Sequence, residues 1–104
     1  MRKAITYIHG IQAGFFIEND NNTFTFIYEN EYNAEPLSLT MPINQKKYFF
    51  DNFPPFFEGL LPEGIMLEGL LKINKLDKND YYSQLIAVGN DMIGAVTVKL
   101  IEDE

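Results

Sequence analysis

The run Phe56–Leu71, FFEGLLPEGIMLEGLL, sets two carboxylates, Glu58 and Glu63, on either side of a Gly-Leu-Leu-Pro turn. Paired acids are the groups with which a glycosidase protonates a leaving oxygen and attacks, or activates water, on the opposite face. Gly59 and Gly64 bracket the same turn, and glycine-rich turns can cradle a phosphate with backbone N–H groups. His9 is the single histidine, a residue type suited to acid–base or metal chemistry. Asp77-Lys78-Asn79-Asp80 has the spaced oxygen donors with which a calcium loop begins.

None of these constellations is complete. A chain of 104 residues leaves little wall for a sugar cleft, so Glu58 and Glu63 read as solvated helix-end charges. Neither G-x-G-x-x-G nor G-x-x-x-x-G-K-[ST] occurs, and no Lys or Arg stands beside Gly59 or Gly64 to neutralise a phosphate. His9 has no cysteine and no second histidine with which to complete a zinc site, and reads as a structural or surface residue. Counted from Asp77, the sixth residue of a calcium loop would be Tyr82 where glycine is needed, and the twelfth would be Val88 where glutamate is needed. The acidic cluster therefore reads as helix capping. No serine-centred motif offers an activated nucleophile. These absences point away from self-contained catalysis, and from a bound metal or cofactor.

Composition narrows the class further. The chain is short enough to be one domain, residues 1–104, around one core. Nine Phe and six Tyr make large rings the main core material. Fifteen acidic against eight basic residues give a net charge of −7, which argues against a free-standing grip on nucleic acid phosphates. Lys46-Lys47, the one basic pair beyond the N-terminus, reads as a solvated loop. No apolar run approaches the roughly 20 residues of a membrane span, and the start, MRKAITYIHG, is too short and polar for a signal peptide. The absence of cysteine fits a reducing cytoplasm.

Period-two alternation predicts strands in the first half. Ile5, Tyr7 and His9 share one face, with Ala4, Thr6 and Ile8 on the other. Gly10 allows a reversal into Ile11–Glu18, and Asn19-Asp20-Asn21-Asn22 signals a turn into Thr23–Tyr28, with Phe24, Phe26 and Tyr28 on one side. A short strand is expected over Leu37–Thr40, between Pro36 and Pro42. The second half changes period. Pro54-Pro55 opens a short helix ended by Gly59 or by Leu61-Pro62. Gly64–Asn74 is expected to be a helix with an apolar stripe of Met66, Leu67, Leu70, Leu71 and Ile73. Asp77 or Asn79 should cap a third helix through Val88, packing by Tyr81, Leu85 and Val88. After a turn at Gly89-Asn90-Asp91, Val96, Val98 and Leu100 alternate as a closing strand. The order predicts an α+β fold: a small antiparallel sheet, a meander or partial barrel, with two to three short helices.

Three segments carry a family resemblance. Pro36-Leu37-Ser38-Leu39-Thr40-Met41-Pro42 is similar to the P-L-S-x-x-[LM]-P element of HipA-type serine/threonine kinases. Phe56-Phe57-Glu58-Gly59-Leu60-Leu61-Pro62-Glu63-Gly64 resembles the family's F-F-[DE]-[GN]-L-L-P-[DE] segment, and Gly89-Asn90-Asp91-Met92-Ile93-Gly94-Ala95-Val96 its G-x-D-x-x-G-A-V. They occur in the family's order and spacing, and the resemblance spans almost the whole chain.

The resemblance implies the N-terminal subdomain of such a kinase. The family's ATP-binding loop, catalytic aspartate and metal-binding aspartate lie beyond this segment and have no counterpart here. A chain of this kind resembles the small HipS antitoxins of tripartite HipB–HipS–HipT systems. That implies two partners: a separately encoded HipT-like kinase, and a HipB-like DNA-binding protein in a ternary complex. It also implies neutralisation of the kinase, or alternatively a scaffold that completes the kinase fold and assists repression. Many relatives carry tryptophan directly after L-L-P-[DE]-G, where this chain has Ile65 followed by Met66. Glu63, Gly64, Ile65 and Met66 are the expected partner-binding residues, while Leu60, Leu61, Leu67, Leu70 and Leu71 are expected to pack within the domain.

Overall fold

The alternation in the N-terminal third closes into hairpins. The computed structural model describes residues 1–89 and 94–103. Strand β1 (Arg2–Ile8) pairs antiparallel with β2 (Ile11–Glu18), which pairs with β3 (Phe24–Tyr28). Strand β4 (Lys47–Phe50) adds to β3, and β5 (Val96–Asp103) returns beside β1. The result is one open, five-stranded antiparallel sheet in the order β4-β3-β2-β1-β5, not a barrel. Three helices, α1 (Pro55–Glu58), α2 (Gly64–Asn74) and α3 (Tyr81–Val88), lie between β4 and β5 in sequence.

The face carrying Ala4, Thr6 and Ile8 of β1 is the buried one. It continues through Phe16, then Phe26 and Tyr28, and on the other side Val96 and Val98. Helix residues complete the core: Phe57 stacks on Phe16 with ring centroids 4.0 Å apart, and Tyr82 stacks on the same ring at 5.1 Å. The buried Tyr82 hydroxyl donates to the Phe16 carbonyl oxygen at 2.5 Å, so its polar atom is satisfied where burial would otherwise penalise it.

Several expectations need correction. His9 lies outside the strand: β1 ends at Ile8, and His9 (φ 52°) and Gly10 (φ 78°) form the two-residue turn into β2. Left-handed dihedrals at both turn positions match the right-handed twist of the strands they join. Leu37–Thr40 is a turn, not a strand, since Met41 N–H returns to the Ser38 carbonyl at 3.0 Å. Its backbone is recruited by the buried Tyr28 hydroxyl, which accepts from Leu37 N–H at 2.8 Å and donates to the Met41 carbonyl at 2.6 Å. The fourth strand forms instead at Lys47–Phe50, so the Lys46-Lys47 pair leads into a sheet edge.

Asp80, not Asp77 or Asn79, caps α3 by accepting from Ser83 N–H at 3.1 Å. Asp77 instead accepts from Asn79 N–H at 2.8 Å, forming a side-chain turn before the cap. The packing side of α3 is Tyr82, Gln84 and Leu85; Tyr81 and Val88 are half-buried. The expected turn at Gly89-Asn90-Asp91 falls, from Asn90 on, outside the described residues.

Candidate functional site

Pro54 and Pro55 open α1 with no side-chain cap, and Gly59 closes it. A proline at the first helical position loses nothing, since its N–H would have no partner. Phe57 drives the helix into the core, and Phe56 packs edge-on against it at 5.4 Å. Leu60 N–H returns to the Phe57 carbonyl and Leu61 N–H to that of Glu58, both at 3.1 Å. The half-buried Leu60 and Leu61 lie against the core, as their expected packing role requires.

Pro62 then prevents helical continuation, and Glu63 takes up an extended N-cap conformation without a side-chain capping bond. Gly64 follows with φ 59°, a left-handed dihedral that a side chain would strain. The tight turn thus restarts the chain as α2, whose bounds match expectation. Its packing does not. None of its residues is buried, although Leu67, Leu70 and Leu71 are half-buried. Ile65 is 84%, Met66 73% and Ile73 81% exposed. The exposed surface of α2 thus holds Ile65 and Met66 of the expected binding set, with Glu63 and Gly64 exposed just before them. Met66 and Ile73, both expected within the apolar stripe, are on the exposed side of α2 instead; Leu39, in the Ser38–Met41 turn, is 97% exposed. Helical spacing relates Ile73 to Ile65; no local signal marks Leu39.

Glu58 borders a cleft of about 660 Å³, whose lining includes Glu18, Asp77 and Asp80 but not Glu63. The one cation in that lining is engaged: Arg2 donates to Glu18 at 2.7 and 2.9 Å and to Asp80 at 3.1 Å, with Tyr82 beneath its guanidinium at 4.9 Å. The hydrogen bond to Glu18 is the main reason its pKa is raised. Burial pushes the Asp80 carboxyl up, but bonds from Ser83 and the charge of Arg2 outweigh it and hold the pKa below its ordinary value. The network joins β1, β2 and the α3 cap, which is structural work. His9 is a surface residue with Nε2 3.1 Å from Glu35 Oε2. Among the described residues, no group of three or more His, Cys, Asp or Glu could hold a metal ion. No helix among them is long and apolar enough to cross a membrane. Among the described residues, α2 presents an exposed apolar face.

Comparison with known proteins agrees with this architecture. A family model described as the HipA N-terminal domain matches residues 4–99. An uncharacterized protein of Haemophilus influenzae (strain ATCC 51907 / DSM 11121 / KW20 / Rd) is 31% identical over 99 residues, covering 95% of this chain and 92% of its own length. A solved structure described as the N-terminal domain of HipA toxin superposes with a TM-score of 0.79 at 28% identity, covering all of this chain and 96% of that one. The chain belongs to the HipA N-terminal domain family.

Proposed function

We propose that this protein is a non-enzymatic antitoxin that binds and neutralises a separately encoded HipA-like (HipT) serine/threonine kinase in the cytoplasm. Membership of the HipA N-terminal domain family supports a HipA-like partner. The observation that carries the docking site is the exposure of Ile65 and Met66, 84% and 73%, on a helix with no buried residue. Large apolar side chains held out in water at a tight turn suit a partner pocket, where a few such anchors carry most of the binding energy. Glu63 supplies an adjacent polar contact, and Gly64 sets the direction in which α2 leaves the turn. The net charge of −7 leaves DNA contact to a HipB-like protein in a ternary complex.

Co-expression with the genomically adjacent kinase tests this reading. Restored growth, co-purification and lowered kinase activity in vitro are expected. Co-purification with undiminished or raised kinase activity would establish a scaffold subunit instead, and failure to co-purify would remove the partner assignment.

A further inference from the structure

The exposed surface of α2 has an internal symmetry. The helix runs from Gly64 to Asn74 with Gly69 at its midpoint, and Ile65, Gly69 and Ile73 form one ridge at four-residue spacing. Met66 flanks that ridge, and its three large apolar members are all more than 70% exposed. After proline, glycine is the least favourable residue inside a helix, and no contact among the described residues requires it at position 69. A Cβ built there would meet no atom within 4 Å. The missing side chain instead leaves a notch in the middle of an outward-facing apolar ridge, where another backbone can approach closely.

From this we infer that α2 is a self-association surface and that its occupant is the α2 of a second copy, antiparallel about a two-fold axis at Gly69. That arrangement sets Ile65 of one copy level with Ile73 of the other and lets the two glycine notches cross. It also satisfies the charges. Glu68 and Lys72 are exposed on one flank of the ridge, and neither makes an ion pair among the described residues. A two-fold axis preserves that flank while reversing the helix direction. Each Glu68 then comes within about 3 Å, along the helix axis, of the level of the other copy's Lys72. The ridge is self-complementary in shape and in charge.

The helix is only about 16 Å long, so the interface falls in the small, transient class and the dimer is reversible. The surface includes Ile65 and Met66, so self-association and kinase docking exclude one another; that exclusion alone rests on the proposed function.

Sedimentation equilibrium of the isolated chain tests the dimer. The mass is expected to rise from 12.0 kDa towards twice that value with concentration. Gly69→Gln, which fills the notch with a better helix former, should raise the dissociation constant at least about tenfold while keeping or increasing helicity. Glu68→Lys should weaken the dimer about two- to tenfold, and adding Lys72→Glu should recover it. A chain that stays monomeric at about 1 mM overturns the inference, that concentration being where weak interfaces still populate. So does a dimer indifferent to Gly69→Gln. Because no kinase is present, a kinase that fails to bind leaves this result intact. A monomeric chain that does bind the kinase overturns only the dimer.

Discussion

The Phe57 ring lies face to face with that of Phe16, with centroids 4.0 Å apart and planes inclined by 11°. This contact fastens the four-residue helix α1 to the sheet, so the turn that follows inherits its position from one aromatic stack. Both rings are fully buried. Phe57→Ala should therefore lower stability by about 3–5 kcal/mol, the usual cost of deleting a buried aromatic ring. The midpoint of a urea unfolding curve measures it.

The hydroxyl of Tyr28 reaches both ends of the Leu37–Met41 segment. Tyr28→Phe keeps the ring but leaves the Leu37 N–H and the Met41 carbonyl without this partner. A loss of about 1–3 kcal/mol is expected, with faster amide exchange at Leu37 than at strand amides.

Gly64 sits at φ 59° between Glu63 and Ile65. Gly64→Ala forces a side chain into left-handed backbone, which should cost about 1–2 kcal/mol. Alanine elsewhere in an exposed helix would stabilise, so thermal denaturation gives a sign that identifies the cause.

These cases show what local pattern can reveal. Strands β1, β3 and β5 were legible because Ala4 and Ile8, Phe26 and Tyr28, and Val96 and Val98 recur at strand spacing and are buried, β2 was legible from the turn signals on either side of it, and Pro55 and Gly59 mark α1 directly. Strand β4 was hidden: Lys47-Tyr48-Phe49-Phe50 begins with a charge and does not alternate. Leu37–Thr40 has a strand's composition, but Thr40 N–H turns back to the Ser38 hydroxyl and Met41 N–H to the Ser38 carbonyl, while Leu37 N–H goes to Tyr28, a tertiary partner that no local window contains. The outward face of α2 was illegible for a related reason. Apolar residues surround much of that helix, so periodicity alone does not say which of Ile65, Leu67 and Leu70 meets the domain.

Asp80 links acid stability to the α3 cap. Its folded-state pKa lies below the ordinary value because Ser83 and Arg2 outweigh burial. A depressed carboxyl contributes its full stabilisation above the unfolded pKa of about 3.9 and loses it as pH falls through the folded value. Stability should therefore decline below about pH 4. Asp80→Asn, which can still accept from Ser83 N–H, should flatten that acid limb in denaturation curves collected across pH, while Asp80→Ala should also lose about 1 kcal/mol of capping at neutral pH.

The docking role of the α2 surface is tested most directly by the affinity of Ile65→Asp for the partner kinase, measured by calorimetry alongside urea unfolding of the free variant. Because Ile65 is 84% exposed, unfolding should shift by no more than about 0.5 kcal/mol. Binding should weaken at least about tenfold, as for a buried anchor at an interface. Wild-type affinity in a normally folded Ile65→Asp protein would contradict the assignment.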